Sequence, residues 1–289
     1  MALQSAILLL LFFGGVLGGQ KPMQDEDLKT KELAAEIGYS EMPLGADPNE
    51  GVAFDWSQWT LLPGSGSEWK SIYSGVQYLP PAVRRKFDYR RGQEELALEV
   101  FVASSGPQPA RRRLLEIGAT TMMPSSPYKK GPEDLGDLSI VPRSGRTNSI
   151  AWTYHNLCFH LETQNTQFNL MTLAYELQKE AARGLVKNIH QHAPVAVSAI
   201  ARPQPASVGD IVTIELYGSG HPDPQKVDTY FKIEGDGLRA VSQDKSNLTL
   251  KFMAVKPGIT RIGVQVADKQ TLLSTTGAVA VKVVERHGS

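Results

Sequence analysis

The sequence predicts an α+β domain, built as an antiparallel sheet with helices on one face, followed by an all-β sandwich. Three observations carry this reading. A central stretch alternates apolar and polar residues on either side of a two-residue turn. Two segments flanking it, one before and one after, have apolar residues at helical spacing. Beyond residue 193, six strand-like runs follow one another with turn residues between them and no helical period.

The central stretch runs from Ser149 to Glu162 and reads Ser-Ile-Ala-Trp-Thr-Tyr-His-Asn-Leu-Cys-Phe-His-Leu-Glu. A turn at His155-Asn156 sets Tyr154 opposite Leu157, Trp152 opposite Phe159 and Ile150 opposite Leu161. Side chains alternate along a strand, so these residues share one face. The other face carries Ser149, Ala151 and Thr153 opposite Glu162, His160 and Cys158. An aromatic apolar face with a polar back is what a half-buried antiparallel hairpin needs. Asn156 is the natural left-handed residue of the turn; His155 is less usual there.

Length and composition bound the rest. A chain of 289 residues is long enough for about two domains. With 41% hydrophobic and 21% charged residues it has the composition of an ordinary globular protein. The formal net charge is zero, so no global field points to nucleic acid or to a charged membrane surface. An unbroken apolar run from Ala6 through Val16 is short for a membrane span and suits the core of a signal peptide. Residues 1–19 are therefore expected to direct export, with only the amino terminus supplying positive charge and an uncleaved anchor as the alternative, and the expected location is periplasmic or secreted. No later run is long and apolar, so the mature chain is not expected to be an integral membrane protein. The single cysteine, Cys158, has no partner for an intramolecular disulfide, and stability must come from apolar cores.

Residues 20–50 form a polar, acidic-leaning leader, loosely ordered or packed late, in which Leu28 to Ile37 has room for two helical turns. The α+β domain spans 51–192. It opens on an aromatic cluster that includes Trp56, Trp59 and Trp69, interrupted by the turn Gly64-Ser65-Gly66-Ser67. Leu96 to Ala103 is a strand. Pro109 begins a helix with Ala110, Leu114 and Ile117 on one stripe and Gly118 as its stop. Thr120 to Asp137 is loop, Leu138 to Val141 a short strand, and the hairpin follows. Thr166 to Ala182 is the clearest helix, with Leu170, Leu173, Ala174, Leu177 and Ala181 in line and Asn165 or Thr166 as cap. Its apolar face is expected on the sheet around Trp152 and Phe159.

The sandwich spans 193–286. Strands are read at Val195 to Ala201, Ile211 to Tyr217, Asp228 to Ile233, Leu248 to Ala254, Thr260 to Ala267 and Ala278 to Val284. One series of motifs here is distinctive: Val208-Gly209-Asp210-Ile211-Val212-Thr213, then Gly218-Ser219-Gly220-His221-Pro222-Asp223-Pro224, Gly235-Asp236-Gly237, and Lys256-Pro257-Gly258 leading into Ile262 to Asp268. Their order resembles the bacterial PKD-like and immunoglobulin-like extracellular modules over about the last third of the chain. The central strand departs from that pattern, with Tyr230-Phe231 and Ile233-Glu234 in place of Trp-Asp-Phe before Gly-Asp-Gly. The resemblance implies a spacer, adhesion or binding unit without catalytic residues.

The candidate sites each have a plainer alternative. Trp56, Trp59 and Trp69 are candidates for a sugar-stacking platform; clustered aromatics more often anchor a core. Arg84, Arg85, Arg90 and Arg91 are candidates for meeting a polyanion, as is Arg111-Arg112-Arg113, part of which is the wet side of a helix. Cys158 and His160 point the same way from one strand, a nucleophile arrangement that lacks a third group. His190 and His192 lack further metal ligands. Asp55, Glu133, Asp134 and Asp137 are carboxylates that nothing in the sequence brings together. Asp223, Asp236 and Asp268 are turn formers before they are calcium ligands. Asn247-Leu248-Thr249 matches a glycosylation acceptor. No cofactor or metal is expected. The function expected is a non-catalytic binding or structural protein of the envelope or extracellular space, whose partner is a glycan or another envelope protein rather than nucleic acid. The alternative is an extracytoplasmic enzyme with its active site in the α+β domain and the sandwich as accessory.

Overall fold

A computed structural model describes residues 22–39, 52–56, 68–80, 82–119, 127–146, 148–164, 168–183, 185–187, 197–218, 223, 225–244 and 248–286. The expected signal peptide, Trp59, the Gly64 to Ser67 turn, His190, His192 and Asn247 fall outside them. The elements of the first unit are α1 (Pro22–Ile37), β1 (Val52–Phe54), β2 (Lys70–Leu79), β3 (Ala82–Arg91), β4 (Glu94–Ala103), α2 (Pro107–Ala119), β5 (Tyr128–Lys130), β6 (Leu138–Pro142), β7 (Ser149–Tyr154), β8 (Leu157–Thr163), α3 (Leu170–Arg183) and β9 (Leu185–Lys187). Those of the second are β10 (Val197–Arg202), β11 (Ala206–Ser207), β12 (Ile211–Gly218), β13 (Val227–Glu234), β14 (Leu238–Asp244), β15 (Thr249–Ala254), β16 (Gly258–Asp268) and β17 (Ser274–Val284).

The β7–β8 hairpin has the register that the alternation of its residues dictates. Tyr154 pairs with Leu157, Trp152 with Phe159, Ile150 with Leu161 and Thr153 with Cys158. The Trp152 and Phe159 rings stack at 4.9 Å between centroids and 8° between planes. The turn differs from expectation, because His155 takes the positive φ of 52°. Asn156 points inward instead and is fully buried. Its Oδ1 accepts from the Val52 N–H at 2.6 Å, and its Nδ2 donates to the Ala103 carbonyl at 2.7 Å. Its own carbonyl accepts from the Ala103 N–H at 2.9 Å. One side chain thus ties the hairpin to β1 and to the end of β4.

Around the hairpin, seven antiparallel strands lie in the order β2-β3-β4-β8-β7-β6-β5. One face of this sheet packs Leu98, Val100, Trp152, Phe159 and Leu161 against α3 and β1. The other packs Ala151 and Cys158 against α1 and α2. Helices therefore cover both faces, which corrects the expectation of helices on one face. The physical reason lies in Ala151, Thr153 and Cys158. These side chains are small and uncharged, and all three are buried. A covering layer of helices removes more apolar surface from water than an open back would.

In the leader, the helix expected over Leu28 to Ile37 is present and begins earlier. Pro22–Ile37 forms a helix of 16 residues, and Leu33 and Ile37 are buried against α2. Gly118 explains how it docks. It lies inside α2 rather than after it, and a Cβ there would run into the Leu33 side chain. Glycine lets the two helices approach closely at this point. On α3, Leu170, Leu173, Ala174, Leu177 and Ala181 are buried as their spacing predicts. Asn169 caps its start, with Oδ1 accepting from the Met171 and Thr172 N–H groups at 3.1 and 3.3 Å.

The second unit is a sandwich of two sheets, β10-β12-β15-β14 and β11-β17-β16-β13. Its core packs Val212, Ile214, Leu250, Phe252, Ile262, Val264 and Val281 between the layers. Beyond the six runs read from the sequence, β14 and the short β11 complete it. Along β13, Phe231 and Ile233 turn inward while Tyr230, Lys232 and Glu234 turn out. The outer face of β16 alternates in step, and this face meets the first unit.

Candidate functional site

Polar contacts gather at the joint where the β16–β17 loop enters the first unit. Ala267, Leu272 and Leu273 belong to the same apolar cluster as Trp152, Phe159 and α3. The sandwich thus lends its β16–β17 end to the first unit's core, while the core between its own layers is a separate cluster. Asp268 shapes the loop: its Oδ1 accepts from the Gln270 N–H at 3.1 Å, the Thr271 N–H at 2.7 Å and the Thr271 hydroxyl at 2.8 Å. The loop so held presents two backbone carbonyls to Trp56. The Trp56 N–H donates to the Gln270 carbonyl at 2.9 Å, and its indole N–H to the Thr271 carbonyl at 3.1 Å. Gln270 donates in turn to Asp55 at 2.7 Å.

A second set of contacts lies along the outer face of β16. Gln265 is fully buried, and its Nε2 donates to the Ala82 carbonyl at 2.9 Å and to the Ser274 hydroxyl at 2.8 Å. The Ser274 N–H donates to the Ser104 hydroxyl at 2.6 Å. Tyr78 stacks on Tyr230 at 5.7 Å, and its hydroxyl bonds Asp228. Burial first, then the Asp228 charge, pushes the Tyr78 hydroxyl far above the usual phenol range. It donates a proton to that bond and does not titrate near neutral pH.

Beside these contacts the β2–β3 turn and the sandwich face enclose an open cleft of about 510 Å³. Pro80, Glu234, Arg261, Gly263 and Thr276 are among the residues that line it. Glu234 and Arg261 are cross-strand neighbours there, and Glu234 pairs with Lys232 at 3.5 Å. The lining offers one acid, one base and a hydroxyl around small residues. It can hold a polar ligand, but it contains no activated nucleophile.

The residues singled out from the sequence are placed as follows. Trp56 and Trp69 are both completely buried, so neither ring face is open to a sugar. This corrects the expectation of an aromatic platform at those two positions. The Arg91 guanidinium lies 4.9 Å from the Trp69 ring and 5.3 Å from that of Phe168, and the two rings are 5.3 Å apart. Arg85 lies over Phe87 at 4.7 Å and donates to the Trp56 carbonyl at 3.3 Å, which clips β3 to the joint. Arg84 pairs with Glu99 at 3.1 Å, Arg90 with Glu95 at 2.6 Å, and Arg91 with Glu94 at 2.7 Å. Arg113 shares Glu99 at 2.9 Å. Arg84, Arg90, Arg91 and Arg113 are thus each paired with a carboxylate of β4, and Lys86 pairs with Asp88 at 3.1 Å. Asp236 pairs with Lys256 and Asp223 closes its own turn on the Gln225 N–H, so both serve turns, as Asp268 does.

Cys158 is buried, and burial pushes its thiol far above the usual range. A thiol held protonated is no nucleophile. His160 instead faces Ser149, with 3.0 Å between Nε2 and Oγ, and Ser149 Oγ is 2.9 Å from the Tyr128 hydroxyl. Burial lowers the pKa of His160, although Glu162 and Glu99 pull the other way. The serine is only 5% exposed within a strand, so a substrate has no approach to it. This short chain of hydrogen bonds satisfies polar groups under the helical layer. Sequence reasoning missed the joint because Gln265 and Ser274 read as ordinary polar positions on strands.

No family model and no curated protein matches the chain. Among solved structures it is similar to the PKD domain from the KIAA 1837 protein at 23% identity, over 32% of this chain and 89% of that one, with a TM-score of 0.23. It is similar to the PKD domain from human KIAA0319 at 12% identity, over 35% of this chain and 91% of that one, with a TM-score of 0.25. A third structure, the endo-beta-1,4-mannanase from Thermotoga petrophila, shares 9% identity over 39% of this chain and 24% of that one, with a TM-score of 0.23. No helix among the described residues is long and apolar enough to cross a membrane.

Proposed function

We propose that the chain is an exported, non-catalytic binding or structural protein of the envelope or extracellular space, in which a PKD-like sandwich holds the α+β unit at a fixed angle. The observation that supports this is the joint. Domains joined by a plain linker are expected to move relative to each other unless the interface is large and apolar. Here the Leu272-Leu273 loop completes the first unit's core, and Gln265 and Trp56 bond across the boundary. Such a joint suits a unit that presents its neighbour in one orientation. A glycan or a second envelope protein is the partner class, met by the exposed surface of the α+β unit. The buried Cys158 and the enclosed Ser149–His160 pair are in keeping with a role other than turnover.

The test has two arms. Mass spectrometry of the exported protein is expected to find a mature chain lacking residues 1–19. Screening that chain on glycan and peptide libraries is expected to yield binding without turnover. Turnover that disappears in Ser149→Ala or His160→Ala, with the fold intact, contradicts the proposal.

A further inference from the structure

The cleft under the β2–β3 turn has a floor that packing within the chain does not explain. That floor is the outer face of β13, β16 and β17. The register sets Glu234, Arg261 and Ala280 side by side, and next to them Lys232, Gly263 and Ala278. Gly263 is at the centre. Its ladder runs unbroken to both neighbouring strands, so no bulge calls for a glycine. Its φ lies outside the left-handed region, and a Cβ built on it would meet nothing nearer than the Lys232 carbonyl at 4.0 Å. Neither backbone conformation nor a close neighbour among the described residues therefore excludes a side chain there. A glycine inside a strand weakens it, and one remaining use is to let a ligand come close to the backbone. The space over Gly263 belongs to the cleft of about 510 Å³, with Pro80 as an apolar wall and Ala278 beside it. That volume lies in the range of small-molecule sites.

The charges at the rim select the ligand. Glu234 and Arg261 stand directly opposite each other on adjacent strands, where opposite charges favour pairing. Here they do not pair. Glu234 reaches Lys232 at 3.5 Å instead, and Arg261 has no ion pair among the described residues. The Lys232–Glu234 contact joins two exposed side chains and contributes little, so Glu234 can change partner readily. The rim thus presents an unengaged guanidinium next to a loosely held carboxylate. A plain anion meets Arg261 favourably but is repelled by Glu234, and a plain amine has the reverse problem. A ligand with both charges on neighbouring atoms suits both residues.

We propose that this cleft binds a free α-amino acid with an apolar side chain. Its carboxylate lies on Arg261, whose planar fork can take both oxygens. Its ammonium lies on Glu234, and its side chain lies over Gly263 and Ala278 against Pro80. Pro80 comes from the first unit and the other residues from the sandwich, so the ligand bridges the joint. The inference does not depend on the function proposed above, whose partner meets the exposed surface of the α+β unit.

The experiment is isothermal titration calorimetry of the purified protein with L-alanine, L-leucine, N-acetyl-L-leucine and L-leucinamide. The free amino acids are expected to bind. Each blocked form lacks one charge and should bind about tenfold or more weakly than L-leucine. Arg261→Gln should weaken L-leucine by about ten- to a hundredfold. Glu234→Gln should abolish the preference for L-leucine over its N-acetyl form. Both residues are exposed, so circular dichroism should stay that of the parent. Gly263→Val fills the floor and should abolish binding, while the thermal midpoint holds or rises because valine suits a strand better than glycine. Absence of binding by both free amino acids at millimolar concentration overturns the inference, as does L-leucine binding that is unchanged in Arg261→Gln. N-acetyl-L-leucine binding as tightly as L-leucine to the parent protein overturns the assignment of an amino acid as the ligand.

Discussion

Replacing Asn156 by alanine should be among the most damaging single changes in the first unit. The side chain is fully buried and satisfies two backbone groups, the Val52 N–H and the Ala103 carbonyl. Each group left unpaired in the interior costs about 1–3 kcal/mol, so the sum is about 2–6 kcal/mol. A typical domain has only about 5–15 kcal/mol in hand. Urea unfolding followed by tryptophan fluorescence should show the midpoint falling with an unchanged slope. Asn156→Asp sharpens the test. At neutral pH its second oxygen faces the Ala103 carbonyl and cannot donate, and the buried charge adds to the loss. Burial and that carbonyl raise the folded pKa above the unfolded value of about 3.9, so protons favour the folded form. The deficit of Asn156→Asp relative to the parent should therefore shrink as the pH falls toward about 4. A cost within about 0.5 kcal/mol for Asn156→Ala, the range of ordinary surface changes, refutes the idea that this residue ties three elements together.

Two further changes probe the joint and the polar chain. Leu273→Ala alters a residue of the sandwich loop yet should destabilise the first unit by about 2–5 kcal/mol, because the side chain is fully buried in that unit's core. Tryptophan fluorescence reads this directly, since all four tryptophans precede residue 193; an unshifted transition would contradict the shared core. For His160, burial holds the folded pKa below the unfolded value of about 6.5. Its contribution is then present above about pH 6.5 and lost as the pH falls. His160→Gln should flatten the stability profile between about pH 7 and 5 relative to the parent, and a profile of unchanged slope would show that the histidine is not held neutral.

Much of this fold is legible in the residues, and the failures have identifiable causes. The β7–β8 register follows from strict alternation over Ser149 to Glu162, and the buried face of α3 follows from its helical spacing. The β2–β3 ribbon does not show in the sequence, because Arg84, Arg85 and Lys86 place three cations in a row where alternation is sought. In the structure Arg85 lays its guanidinium over Phe87 while Arg84 reaches Glu99 on the other face, so the period of two survives under the charge. The edge strand β14 was hidden for the opposite reason: its Arg239, Ala240, Val241 and Ser242 are exposed and carry little pattern. The burial of Trp56 and Trp69 does not show in the sequence, since it involves contacts with Thr271, Arg91 and Phe168, remote along the chain. The turn at His155 shows the same limit. Asn156 is the better left-handed residue locally, but its amide is committed to partners 104 and 53 residues away.

The most direct measurement of a fixed joint is a distance distribution between spin labels on the two units. Lys129→Cys on β5 and Lys251→Cys on β15 are exposed sites for the labels, and Cys158 is buried. With Leu272, Leu273, Gln265 and Trp56 in place, one narrow distance peak is predicted, broadening when Gln265→Ala and Leu273→Ala are combined. A broad or multiple distribution in the parent protein would mean that the sandwich swings freely, and the account of one body would be wrong.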